Sequence, residues 1–395
     1  MVMSQNNKIN LNKKSILQII PNMEIGGAEK TVYEISSYLK NSQYEPIVLT
    51  SGGQLVSKLK EENIKVIIKK IDQKDPVNIF KNINTFKNIL QENNISLVHA
   101  RSRAPAWSAF YASKKLNIPF MTTWHGHADS NSTLKRKYNS IMAKGIAVIA
   151  NSKYTAKNIS EKYNIKIEDI DIIPRGVNCI DYDIDSSSKE LINKTKSEWN
   201  NNSKKKIILL PARYTEWKGH TLAIKALSEL KKRNKRLDLN LVFIGNKNEN
   251  EKYVRKLEKL AKKIGVYENL KILGHFDNMP LAYHASDIAL YPSIKPEPFG
   301  RVPIEAQAAG CIIIASNHGG VKETILDGNE KTGFKTKIND PFDLANIIDF
   351  ILGLDNSEID KIRKRALKSV DKNFSLENMC KKTLAVYERI LNVSK

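Results

Sequence analysis

Short apolar runs, separated by longer amphipathic stretches, recur along the whole chain. In the first half they fall at Ser15–Ile20, Pro46–Leu49, Val66–Ile68, Leu97–His99, Phe120–Thr123, Ala147–Ala150 and Asp171–Ile173. Runs of this length and composition read as buried strands. Helical periodicity fills the gaps, as over Glu29–Leu39 and Val77–Asn93. The stretch Cys179–Ser203, rich in Asp, Ser, Asn and Lys, ends the first series, and Lys204-Lys205-Lys206 follows it. A second series then runs through Ile207–Pro211, Leu239–Ile244, Leu270–Leu273, Ile288–Tyr291 and Cys311–Ala315, with helices over His220–Arg236 and Tyr253–Ile264. Alternating strand and helix predicts parallel sheets covered on both faces. Two such series joined by a polar connection predict two doubly wound, Rossmann-like α/β domains. Ligands of such sheets bind at the carboxyl ends of the strands, so the loops after the strands are where chemistry is expected.

Composition narrows the class. At 395 residues the chain exceeds one ordinary core. Hydrophobic content of 41% and charged content of 27% are those of a globular protein. No apolar run reaches the roughly 18 residues that would cross a bilayer. The Asn- and Lys-rich start has no signal core, and Ile16–Ile20 is too short for one, so a cytoplasmic location is expected. Cys179, Cys311 and Cys380 are few, odd in number and far apart, without metal-ligand spacing. Lys and Arg exceed Asp and Glu by 22. Such a charge favours nucleic acid, an anionic membrane surface or a phosphate-bearing substrate. A composition loaded throughout with Lys, Asn and Ile accounts for it as well. No RNA-binding motif with stacking aromatics is present, and nucleic acid is not expected as a partner.

Three loops carry candidate chemistry. Pro21–Glu29 follows the first strand and holds Gly26-Gly27 before a helix. Adjacent glycines let backbone approach an anion at a helix N-terminus, and serve a tight turn equally well. Arg213-Tyr-Thr-Glu-Trp-Lys218-Gly219-His220 follows Leu209-Leu210-Pro211. A guanidinium fork and an ammonium in one loop can grip a diphosphate, although a basic chain also has solvated basic loops. Glu297-Pro-Phe-Gly-Arg-Val-Pro-Ile-Glu305-Ala-Gln-Ala-Ala-Gly310 is the most specific. Glu297 falls in a turn at a helix entrance, where it and the amides of Phe299 and Gly300 can meet a sugar. Glu305 lies within the helix among small apolar residues, where a carboxylate can accept from paired ribose hydroxyls; an exposed helical Glu is the plainer alternative.

These segments together resemble glycosyltransferase family 4, retaining enzymes of the GT-B fold, nearly from end to end. The Glu-x7-Glu stretch with Phe299-Gly300 carries the likeness most strongly, with Gly26-Gly27-Ala28-Glu29 and Arg213/Lys218-Gly219 in order. His99–Trp107, Thr123–His127 and Ile173–Val177 resemble an alphaproteobacterial subgroup associated with envelope glycans or glycolipids. The resemblance implies two domains facing across a cleft: an acceptor domain at 1–182, a linker at 183–204, a nucleotide-sugar domain at 205–372, and a last helix at 373–395 returning to the first domain. It implies that Gly26 and Gly27 lie against the donor diphosphate and that Arg213 and Lys218 neutralise the leaving phosphate. Glu305 holds the ribose, and Glu297 with the Phe299 and Gly300 amides binds the sugar. Gly245, Phe276 and Arg301 complete the donor set, and His125 stands near the reacting sugar. One departure is Pro174-Arg175-Gly176-Val177-Asn178, where the family often has Asn-Gly-Val-Asp.

His125 and His127 also invite a metal reading, but two histidines without a nearby carboxylate-plus-His set make a poor site. No Asp-x-Asp stands at a strand end, so the donor is expected to need no divalent metal or other cofactor. Basic residues bunch in the first half at Lys58, Lys60, Lys65, Lys69 and Lys70, and at Lys135-Arg136-Lys137 with Tyr138, Ile141 and Met142 behind them. This suggests docking to the inner face of an anionic membrane and an acceptor held there, diacylglycerol or a lipid-linked saccharide such as lipopolysaccharide core. The expected activity is transfer of a hexose-type sugar (glucose, glucuronate or N-acetylglucosamine class) from a UDP-linked donor. A non-enzymatic basic membrane or polyanion binder and a nucleotide-sugar epimerase are the alternatives. The first leaves the Glu-x7-Glu and Arg/Lys-Gly spacings unexplained, and the second needs a different carboxylate and histidine pattern.

Overall fold

The computed structural model describes residues 13–73, 75–126, 132–201, 205–233 and 237–393. It divides into two compact units, one of 1–151, 155–173 and 380–395, the other of 152–154 and 174–379.

In the first unit β1 (Lys14–Ile19), β2 (Tyr44–Thr50), β3 (Lys65–Ile68), β4 (Ile95–Ala100), β5 (Phe120–Trp124), β6 (Val148–Ala150) and β7 (Ile170–Ile172) form a parallel sheet ordered β3-β2-β1-β4-β5-β6-β7. The intervening helices are α1 (Gly27–Lys40), α2 (Leu55–Glu61), α3 (Pro76–Glu92), α4 (Arg103–Lys115), α5 (Thr133–Asn139) and α6 (Lys153–Tyr163). Alternate strand residues feed two cores, as burial on both faces requires. Leu17, Ile19, Ile47 and Leu49 enter one, whereas Val48 enters the other with Ile20, Met23 and Val32.

The second unit holds β8 (Lys206–Pro211), β9 (Leu239–Ile244), β10 (Leu270–Leu273), β11 (Ile288–Tyr291), β12 (Ile312–Ser316) and β13 (Phe334–Thr336), all parallel, ordered β10-β9-β8-β11-β12-β13. Its helices are α7 (Lys189–Asn200), α8 (His220–Arg233), α9 (Glu251–Lys263), α10 (Met279–His284), α11 (Arg301–Ala308), α12 (Pro341–Leu352) and α13 (Asn356–Phe374); α14 (Leu376–Val393) begins here and continues in the first unit from Cys380. Ile208 and Leu210 face one core, Ile207 and Leu209 the other. The two Rossmann-like sheets are those the hydrophobic pattern predicts. Among the described residues the strand pattern misses only β13, whose three residues carry Lys335 at their centre.

Strand order reverses between β1 and β4 in one sheet and between β8 and β11 in the other. At such a reversal the flanking loops part and leave a crevice at the carboxyl ends of the strands. In the second unit those loops carry Arg213–Gly219 and Ser293–Gly300.

Candidate active site

The loop after β8 is pinned from below. Tyr214 is buried, and its hydroxyl donates to the carbonyls of Leu273 (2.6 Å) and Phe243 (3.2 Å); burial pushes its pKa up. The imidazole of His220 packs among Tyr214, Phe243 and Tyr253, and burial holds its pKa down at about 3, so it is neutral. Between them Gly219 takes φ +83°, and a Cβ there would lie 2.1 Å from the Pro292 carbonyl oxygen. Only glycine lets this loop press against the loop after β11. The Ile294 amide donates to the Trp217 carbonyl across the same seam (2.8 Å).

That approach sets Lys218 on Glu297. The ammonium donates to both carboxylate oxygens at 2.8 Å and to the Tyr291 hydroxyl at 3.2 Å. It lies 4.3 Å from the Trp217 ring centroid and 4.9 Å from that of Tyr291. The two side chains are only 11% and 10% exposed. Burial lowers the Lys218 pKa, and Glu297 opposes that shift. The Ser293 hydroxyl also donates to Glu297. Burial, reinforced by Glu297, raises the Tyr291 pKa far above its ordinary value, while the Arg175 charge nearby acts to lower it. Arg213 is exposed, has no carboxylate partner among the described residues, and lies near enough to Lys218 to depress its pKa.

Glu297 is held by its backbone as well. Its carbonyl accepts from the Gly320 amide at 2.8 Å. A Cβ on Gly319 (φ +62°) would come 2.5 Å from that carbonyl oxygen, and one on Gly320 would come 2.0 Å from the Pro298 oxygen. The sequence reading missed this second glycine pair. Phe299 is a core side chain packed on Phe374, so only its backbone is available to a ligand. Gly300 takes φ +96° and caps α11 without a side-chain hydrogen bond, which leaves orphan amides at the helix start. Glu305 is buried; Arg301 Nε lies 3.2 Å from one oxygen and the Tyr283 hydroxyl 3.3 Å from the other.

Gly245 and Phe276 stand on neighbouring strand ends. A Cβ on Gly245 would lie 2.4 Å from the Ala212 oxygen, so strand packing already requires this glycine. Phe276 packs edge-on against Trp199. Gly176 meets the backbone of Ser375 and Leu376, and Asn178 donates to Asp181.

In the first unit, Gly26 caps α1 in extended conformation, without a side-chain cap, and Gly27 opens that helix. The preceding loop is braced by Gly52-Gly53, both at positive φ, where a Cβ on Gly53 would meet the Met23 backbone. His125 follows β5, with the Arg103 guanidinium 5.5 Å from the Trp124 ring centroid beside it; His127 lies outside the described residues. Among the described residues no three His, Cys, Asp or Glu side chains are grouped as a metal would need. The structure adds a buried polar network that the motifs did not announce. His99 bonds the Tyr387 hydroxyl and the Thr123 hydroxyl, both at 2.7 Å, and Arg101 donates to Gln18. Burial, then the Arg101 charge, drives the His99 pKa well below its ordinary value.

Lys58, Lys60, Lys65, Lys69 and Lys70 are exposed, as are Lys135, Arg136 and Lys137 on α5. Ile141 and Met142, however, lie in the core. The exposed apolar residues near the second cluster are Leu134 (82% exposed) and Ile146 (65%).

The family model described as Glycosyltransferase Family 4 matches residues 25–180, and that described as Glycosyl transferases group 1 matches residues 192–369. The crystal structure of a glycosyltransferase from Rickettsia africae is 36% identical, covers 96% of this chain and 99% of its own, and superposes with a TM-score of 0.87. The structure of Anabaena HepE in complex with UDP and glucose is 21% identical over 95% of this chain and 100% of its own (TM-score 0.82), a likeness of fold. The lipopolysaccharide 1,2-N-acetylglucosaminetransferase of Salmonella typhimurium is 31% identical over 45% of this chain; the match spans 46% of that relative's length.

Proposed function

Because the chain belongs to glycosyltransferase family 4, we propose that it moves a hexose-type sugar, with retention, from UDP to a membrane-associated acceptor. The observation that carries the reading is the Lys218–Glu297 pair at the strand reversal of the second sheet, where a ligand crevice is expected. Arg213 and Lys218 take the diphosphate, Glu305 the ribose hydroxyls, and Glu297 with the amides of Phe299 and Gly300 the sugar. Gly245 and Phe276 border the nucleoside, and Arg301 orients Glu305. By the family likeness, Gly26 and Gly27 are assigned to the leaving group and His125 to the reacting sugar. In this mechanism the acceptor hydroxyl attacks on the face from which the diphosphate leaves, and the diphosphate takes its proton. The chain's own contribution is electrostatic, cations and amides fixed where charge grows on the phosphate. No divalent metal is needed, since Arg213 and Lys218 supply the positive charge.

The likeness of HepE supports UDP as the carrier, and the Salmonella relative supports a lipopolysaccharide-type acceptor, with diacylglycerol as the other lipid candidate. The Rickettsia relative supports the alphaproteobacterial side of the likeness, and the exposed basic α5 supports a peripheral place on the membrane. The test is a thermal-shift series in EDTA with UDP, GDP and their glucose, glucuronate and N-acetylglucosamine derivatives, beside Glu305→Ala. A ligand that binds only the folded chain raises its melting temperature. UDP-linked compounds should raise it in the parent and not in the variant. No shift with any nucleotide would favour a basic surface binder, and a shift that needs divalent metal would end the metal-free reading.

A further inference from the structure

An ammonium has three N–H donors, and those of Lys218 face three acceptors: the two oxygens of Glu297 and the hydroxyl of Tyr291. In this state none remains for a phosphate. The rings of Trp217 and Tyr291 and the glycine-dependent seam at Gly219 hold the ammonium in that place. Glu297 in turn is hydrogen-bonded by the hydroxyls of Ser293 and Tyr291. Arg213 stands nearby, exposed and without a carboxylate partner among the described residues.

We propose that Glu297 competes with the donor's diphosphate for Lys218, and thereby favours the sugar nucleotide over the nucleoside diphosphate product. The inference rests on the donor-site reading above. A diphosphate arriving at Arg213 draws Lys218 away and leaves a buried carboxylate short of its counter-ion, which is costly. A sugar nucleotide repays that cost, because the hydroxyls of its sugar donate to the vacated Glu297. The product has no sugar and repays nothing. When transfer is complete, Glu297 reclaims Lys218 and weakens the hold on the departing diphosphate. One carboxylate thus discriminates between donor and product through the cation that both require.

The test is calorimetric binding of UDP and UDP-glucose to the full chain, the parent beside Glu297→Gln and Lys218→Met/Glu297→Gln. The double variant removes both buried charges together, a change that folds generally tolerate. Glu297→Gln should bind UDP about tenfold more tightly than the parent and UDP-glucose less tightly, and the double variant should lose the gain for UDP. Should Glu297→Gln fail to fold, Glu297→Asp keeps the charge but shortens its reach, and UDP should again bind more tightly. Unchanged or weaker UDP binding in the single variant overturns the inference while leaving the donor site intact. A double variant that keeps the gain also overturns it, since Lys218 would then have no part. A parent that binds neither nucleotide removes the donor-site reading, and the inference with it.

Discussion

Gly219 shows how one residue sets the chemistry available to another. Its positive φ and its contact with Pro292 put Lys218 on Glu297. Gly265 has a similar φ, +75°, but nothing lies within 4 Å of its absent side chain. The pair separates conformational strain from steric conflict. Gly265→Ala should lose only the strain term, about 1–3 kcal/mol. Gly219→Ala should lose more, and it alone should weaken binding of UDP-glucose, which needs Lys218 and Glu297 in place together. Urea unfolding of both variants with UDP-glucose titrations checks this, and equal losses would mean that the seam has no special role. Lys218 itself is expected to act on the chemical step. Lys218→Ala should lower kcat on the order of 10²–10³-fold, as for other groups stabilising a developing anion. Near-parental turnover at saturating donor would remove it from the mechanism.

At the scale of elements, the strands were legible because burial on both faces demands continuous apolar runs, as at Ile207–Pro211 and Leu239–Ile244. β13 was not, since a three-residue strand centred on a lysine has no such run. The loops were legible where chemistry is local in sequence, as in the Glu-x7-Glu stretch. They were not where the reason is contact through space. Gly53, Gly319 and Gly320 are required by the backbone of another loop, and His99 meets Tyr387 from 288 residues away. Nothing near either residue announces that meeting. The buried histidines have a consequence for acid stability. Both His99 in β4 and His220 at the start of α8 are neutral in the fold, with pKa values below the ordinary value of 6.5. Once pH drops below about 6.5 the unfolded chain binds protons that the folded chain refuses, so stability falls with pH. Each such histidine costs up to about 1.4 kcal/mol per pH unit, for His220 down to its folded value of about 3. The aromatic surroundings of His220 suit a phenylalanine. His220→Phe should therefore melt with a shallower dependence on pH between 7 and 5 than the parent. Parallel curves would mean that His220 titrates alike in both states.

For the whole molecule the excess of 22 positive charges is either a working surface or a by-product of composition. The distinction lies in where the charge stands beside exposed apolar surface. Lys135, Arg136 and Lys137 on α5 are all exposed, and Leu134 next to them offers an apolar side chain to a bilayer. Lys58, Lys60 and Lys65 are exposed as well, with Ile68 of β3 (50% exposed) as the exposed apolar residue closest to them in sequence. An anionic bilayer contributes about 1 kcal/mol per basic residue at its surface. Reversing all three charges on α5 to Glu should then lower partitioning onto phosphatidylglycerol vesicles by at least about 100-fold at low salt. Leu134→Ser should lower it less, in a part that salt does not screen. Reversing Lys58, Lys60 and Lys65 supplies the control, because it changes the net charge by the same amount at another place. If α5 is the docking element, the first triple variant loses binding and the second largely keeps it, and parental binding falls steeply with ionic strength. Equal losses in the two would mean that net charge alone governs attraction. In that case nothing about α5 would fix which face of the chain meets an acceptor held in the membrane.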